Sequence, residues 1–165
     1  MRIQSINNKP CHNFGALVYN KSALDKLPQS VVKDIPQVEK DLANTKHWDL
    51  VLNSDTYNGE LNWEYVNKHD SNLIYSYGLK EPCTKDKTIS TVGTYIYKND
   101  NKWVGDYISF VDLNFKTNKQ VSKALNTIKS YNSDSLISEA KIVKVLDSAE
   151  EIVLDDETHL IQNLA

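Results

Sequence analysis

The sequence predicts an α+β fold: a mainly antiparallel, five- or six-stranded sheet with helices from both termini packed on one face. Three observations carry this reading. Ten of the twelve Tyr and Trp residues fall between Trp48 and Phe115, several in pairs two residues apart: Trp63 and Tyr65, Tyr75 and Tyr77, Tyr95 and Tyr97. Side chains two apart on a strand share a face, so each pair points one way from its strand. Asn58-Gly59 stands between two alternating runs, and both central positions of a type I′ hairpin turn need positive φ, which Asn and Gly tolerate. On either side of this stretch the apolar residues recur every three or four positions, the helical period.

A turn centred on Asn58-Gly59 pairs Tyr57 with Glu60. That register places Leu52 opposite Tyr65, Ser54 opposite Trp63 and Thr56 opposite Leu61, with Leu50 and Trp48 further along the same face. The other face carries Asp55 with Asn62, Asn53 with Glu64 and Val51 with Val66. A third strand follows over 72–79, then a loop around Glu81-Pro82. A second hairpin runs from 88–98 through Asn99-Asp100-Asn101 into 102–113. Pairing Lys98 with Lys102 sets Tyr97 against Trp103, Tyr95 over Gly105 and Tyr107 over Gly93, aromatics lying on strand glycines. Its opposite face pairs Ile96 with Val104 and Val92 with Ile108. This hairpin is apolar on both sides and is expected nearer the centre of the sheet.

The 165 residues suit one domain, 1–165, long enough for a sizeable core. Hydrophobic residues make up 40% and charged residues 25%, an ordinary globular balance without disorder bias. The net charge of −3 gives no general pull toward nucleic acid or anionic membrane. The charge is unevenly placed. Residues 147–165 carry six acidic groups and no Lys or Arg, leaving 19 basic against 16 acidic residues in the first 146. The start lacks the apolar core of a signal peptide and no run reaches transmembrane length, so a cytoplasmic location is expected. Frequent Asn and Lys with few Gly, Pro and Arg suit an AT-rich bacterial genome.

Residues 1–15 form a polar N-terminal arm, followed by a short strand over Ala16-Leu17-Val18-Tyr19. Ser5-Ile6-Asn7 with Asn13-Phe14-Gly15-Ala16 resembles the opening of many uncharacterised small proteins from gut-type bacteria. The resemblance covers about a tenth of the chain and implies no activity and no functional residue. Ser22-Ala23-Leu24-Asp25 fits a helix start, and Leu24, Leu27, Val31, Ile35, Val38 and Leu42 continue one stripe. Pro28 and Pro36 must interrupt it, each starting a new segment, because proline lacks an N–H and clashes with the preceding turn. After the sheet, Val121, Ala124, Leu125, Ile128 and Tyr131 mark a helix from 118 to 131 capped by Thr117 or Asn118. Leu136 to Leu146 suits a helix, yet Lys141 to Val145 suits a strand equally well. Ala149 to Leu154 and Thr158 to Leu164 read as short helices.

The four histidines, His12, His47, His69 and His159, make no metal-ligand spacing, and Cys11 and Cys83 form no CxxC, so neither metal nor cofactor is expected. Whether the two cysteines pair is open. Cys83, in the Pro82-Cys83-Thr84 loop, is a conceivable nucleophile with His47 or His69 as base. His47 and Asp49 would share the polar face of the first hairpin with Asn53 and Asp55, opposite Glu60, Asn62 and Glu64. A histidine among carboxylates can serve acid–base or metal-dependent hydrolysis, but the ordinary reading is a solvated edge. There is no Gly-rich phosphate loop and no nucleophile elbow. Basic residues do not interleave the aromatics as single-strand nucleic-acid binding favours.

The function expected is therefore a non-enzymatic protein-interaction module, of inhibitor or toxin-neutralising type. Its partner would be another protein rather than nucleic acid or membrane. Trp63, Tyr65 and Tyr57 are the candidate contact residues, since aromatic patches on a sheet make hot spots. Trp63, opposite small Ser54, is expected partly exposed, and Trp103 buried. The competing class is a small hydrolase or nuclease using the His47 and Asp49 face.

Overall fold

Among the described residues nine strands form one sheet. They are β1 (Leu17–Val18), β2 (Trp48–Ser54), β3 (Leu61–Asn67), β4 (Leu73–Ser76), β5 (Cys83–Lys85), β6 (Thr88–Asn99), β7 (Lys102–Asn114), β8 (Glu151–Leu154) and β9 (Leu160–Gln162). The computed structural model describes residues 17–19, 21–54, 61–70, 73–76, 82–100, 102–154 and 160–162. The arm over 1–15 with Cys11 and His12, the Asn58-Gly59 turn with Tyr57, and Tyr77 lie outside the described residues, as do Asp155-Asp156-Glu157 and His159. The side chains of Tyr95, Tyr97, Trp103 and Tyr107 also lie outside them.

The strand order is β1-β2-β3-β4-β6-β7-β8. The β1–β2 pair is parallel and every other pair is antiparallel. The α+β class holds, while the strand number exceeds the five or six expected. Three strands account for the excess: β5 falls where a loop was expected, and β8 and β9 where short helices were. The frame is the long hairpin of β6 (12 residues) and β7 (13 residues). Each outruns its neighbours, so two short strands share its outer edge, β4 and β5 on β6, β8 and β9 on β7. That arrangement satisfies backbone groups that would otherwise stand unpaired along a long edge.

The first hairpin's register differs from expectation by two residues, and the second's by one beside its turn and by two beyond Tyr97. In the first, Leu52 pairs with Trp63 and Leu50 with Tyr65, and the ladder ends at Ser54 and Leu61. A shift of two preserves every side chain's face, so alternation cannot distinguish the registers. Packing can, because the observed one sets each aromatic against a leucine instead of leaving Trp63 opposite Ser54. In the second hairpin Asn99 pairs with Lys102, and after a shift between Tyr97 and Lys98 the ladder runs Tyr97 with Gly105 and Tyr95 with Tyr107. Trp103 therefore pairs with Lys98, not Tyr97.

One face of the sheet carries the core. Trp48, Leu50 and Leu52 of β2, Tyr65 of β3, Tyr75 of β4, Ile89 and Thr91 of β6, and Val111 and Leu113 of β7 share it, and all are buried. Among the described residues five helices accompany it: α1 (Lys21–Asp25), α2 (Gln29–Val32), α3 (Ile35–Leu42), α4 (Asn118–Lys129) and α5 (Leu136–Ser148). Pro28 is the N-cap of α2, and Pro36 lies at the start of α3, where a missing N–H costs nothing. Ile35, Val38 and Leu42 of α3 join the same core, with Val121, Ala124 and Ile128 of α4.

The ambiguous segment after 136 is helix. Ser135 caps it, accepting a hydrogen bond from the Ser138 N–H at 3.2 Å. This α5 packs against β2, α3 and α4 at once. Leu136, Ala140, Ile142, Val143, Val145 and Leu146 are all buried in consequence. A helix enclosed on several sides has no clean apolar stripe, which is why periodicity could not separate it from a strand.

Candidate functional site

The polar residues singled out in the sequence gather where β2 begins and β3 ends. Asp147, in the last turn of α5, accepts hydrogen bonds from the backbone N–H groups of Lys46, at 3.0 and 3.1 Å, and of His47, at 2.7 Å. A carboxylate at a helix C-terminus opposes the helix dipole, and here the two donors offset that cost. The contact holds His47 at the entrance to β2. Across the ladder, Asn67 accepts from the N–H groups of His69 and Asp70 through its Oδ1, an Asx turn that fixes the exit from β3. His47 Nδ1 and His69 Nε2 then stand 2.9 Å apart.

Their ring centroids are 5.2 Å apart. That separation is the nitrogen distance plus the two ring radii, so each nitrogen points along the line to the other. This is the geometry of an N–H···N hydrogen bond, one ring donating and the other accepting. Two imidazoles sharing a metal would instead aim at a common apex off that line. Among the described residues no group of three or more His, Cys, Asp or Glu side chains is placed to hold a metal ion.

Asp49 is paired with Lys68. Its Oδ1 is 3.0 Å from Lys68 Nζ, in an ion pair whose side chains are only 8% and 5% exposed. Glu64, on the same face of the sheet by register, is buried beside it in β3. The hairpin's polar face is therefore not the solvated edge that alternation suggests. Cys83 is an exposed free thiol on β5, and the described contacts bring no histidine to it.

Of the expected contact residues, Trp63 is half-buried and packs against the core. Tyr65 is a core residue, 1% exposed, and so is not part of an accessible patch. Its hydroxyl donates to Glu139 of α5, and Tyr131 donates to the other carboxylate oxygen at 2.7 Å. Burial raises the Tyr65 hydroxyl's pKa well above the ordinary phenol value, and the Glu139 charge and hydrogen bond raise it further. Burial likewise raises Tyr131, again helped by Glu139. Glu139 is itself raised by burial, against the lowering effect of the two hydroxyl bonds it accepts. This network escaped sequence reasoning because its members are 74 and 8 positions apart and form no motif.

The opposite face of the sheet is buried around Asp49, Glu64 and Ile74, and its β7–β8 end holds exposed apolar residues. Phe110 of β7 is 49% exposed and Val153 of β8 is 39% exposed. Val92 lies directly across from Phe110 on β6, and Val153 pairs with Asp112, the next residue on Phe110's side of β7. The second hairpin's apolar character on both sides is the sequence signal for this surface. No protein-family model, curated protein or solved structure matches the chain. Among the described residues no helix is long and apolar enough to cross a membrane.

Proposed function

We propose that this chain is a non-enzymatic protein-interaction module whose contact surface is the exposed apolar part of the sheet around Phe110. The exposure of that phenylalanine, with Val153 and Val92 beside it, is the observation that carries the reading. Enclosing one large apolar side chain is worth roughly 1.5–3 kcal/mol, enough for the centre of a hot spot. A surface on paired strands is also rigid, so little ordering entropy is lost on binding. Of the expected contact residues Trp63, Tyr65 and Tyr57, Tyr65 lies in the core, and the proposed centre of the contact is Phe110.

The hydrolase reading finds less support. His47 is engaged with His69, and Asp49 with Lys68, so the two groups that would share the chemistry face different partners. The test is affinity capture from the native host with the wild-type chain, Phe110→Asp and, as a control on the far helix, Lys119→Asp. A defined, stoichiometric partner retained by wild type and Lys119→Asp but lost by Phe110→Asp is the expected result, with all three melting alike. Equal retention by Phe110→Asp, or no stoichiometric partner, refutes the assignment.

A further inference from the structure

A cavity of about 600 Å³ lies in the groove between α4 and α5. It is within the range of small-molecule sites. Lys123 of α4 and Lys141 and Lys144 of α5 line it. No carboxylate does, although the chain as a whole is acidic, at −3. Among the described residues no ion pair is formed by Lys123, Lys141 or Lys144. Three like charges along one groove repel one another, and an anion between them turns that repulsion into attraction.

The neutral lining sorts into donors and spent groups. The hydroxyls of Thr127, Ser130 and Ser148 each donate to a backbone carbonyl of their own helix, to Lys123, Thr127 and Val145 in turn. Gln120 uses its Oε1 to accept from Thr117, at the N-cap of α4, which leaves its amide N–H₂ as donor. Asn126 supplies a second amide. Ala124 and Val145, both buried, form an apolar floor. The groove thus presents ammonium and amide donors around a small apolar base.

We infer that the α4–α5 groove binds a small anion carrying a diphosphate group, with Lys123, Lys141 and Lys144 as the charged contacts. Lysine serves phosphate as a point charge needing no fixed plane, and three of them spread over two helices match a chain of linked phosphates better than one. The shared chemistry is the diphosphate. Its source is either the free inorganic ion or an esterified form such as a nucleoside diphosphate. This site lies on the helical side of the molecule and is independent of the Phe110 surface.

The experiment is calorimetric titration of the full chain at low salt with inorganic pyrophosphate and, separately, with ADP. Wild type is compared with Lys123→Gln, Lys141→Gln, Lys144→Gln, the triple variant and Lys119→Gln, an exposed α4 lysine outside the groove. One saturable site per chain is expected. Each groove substitution should weaken binding roughly tenfold, the effect of losing one charge-assisted hydrogen bond, while Lys119→Gln leaves it unchanged. The triple variant should bind neither ligand. Tighter binding of ADP than of pyrophosphate assigns the esterified source, and the reverse assigns the free ion. The substitutions are on exposed side chains, and unchanged melting temperatures verify that the fold is intact. Absence of saturable binding of both ligands at millimolar concentration overturns the inference, as does binding that survives in the triple variant.

Discussion

Gly93 shows how one residue sets the packing of the sheet. A Cβ built there would stand 2.3 Å from Cε2 of Tyr75 and 2.6 Å from its hydroxyl. The ring runs from β4 across the glycine on β6, and its hydroxyl comes within 3.5 Å of Thr91 Oγ1. An aromatic over a strand glycine is what the sequence suggests, and the ring described over Gly93 is Tyr75. Replacing a strand glycine by alanine ordinarily stabilises by roughly 0.5–1 kcal/mol. Here the ring is buried and rigid, so Gly93→Ala should instead destabilise by about 1–3 kcal/mol. The cost should shrink when Tyr75→Leu makes room. Denaturant midpoints of the two singles and the double decide it, and a stabilising Gly93→Ala would contradict the packing. The buried Lys68–Asp49 pair makes a second residue-scale expectation. Lys68→Met removes the ammonium from an enclosed carboxylate and should cost about 3–5 kcal/mol. Replacing both, as Asp49→Leu with Lys68→Met, should recover much of that loss in the same assay.

At the scale of elements, caps and breaks are written locally. Thr117 closes a capping box on α4: its hydroxyl oxygen accepts from the Gln120 N–H at 3.2 Å, and Gln120 Oε1 accepts from the Thr117 N–H at 3.0 Å. Thr117→Ala should cost about 1 kcal/mol, seen as a lower melting temperature, while Thr117→Ser should retain most of the stability. Equal melting of the alanine and serine variants would mean the box contributes nothing. The segments α2 and α3 begin at Pro28 and Pro36 because proline acts within its own turn. Strand pairing is less local. The ladder of the first hairpin ends at Ser54 and Leu61, in a register two residues from the one a tight Asn58-Gly59 turn would impose. The Asp86-Lys87 turn between β5 and β6 carries no Gly or Asn at its positive-φ position, where Lys87 has φ 63°, so nothing in its composition announces a hairpin.

For the whole molecule, Glu139 ties the sheet to the helices, receiving Tyr65 from β3 and Tyr131 from the α4–α5 connection. Tyr65, Tyr75 and Tyr131 all have pKa values raised in the fold, chiefly by burial. A raised folded-state pKa gives stability that is complete below the unfolded value, about 10 for tyrosine, and lost as pH climbs above it, because only the unfolded chain can then release the proton. Stability should therefore fall above about pH 10, with these phenols ionising as the fold opens. Phenolate absorbance followed together with circular dichroism tests this, and ionisation of all tyrosines before unfolding would refute it. The sequence by itself determined what depends on near neighbours along the chain: the α+β class, the faces of the residues in β2 and β3, the proline breaks and a cap at Thr117 or Asn118. Tertiary structure decided what depends on a partner far away. Alternation has a period of two and is blind to a two-residue slip, so the register of the first hairpin was settled by packing Trp63 and Tyr65 each against a leucine. Glu151–Leu154 and Leu160–Gln162 are apolar runs too short to declare themselves, and become strands because the edge of β7 is there to pair with. His47 joins His69, Asp49 joins Lys68 and Tyr65 joins Glu139 for the same reason: each pairing is made by folding, and no local pattern encodes it.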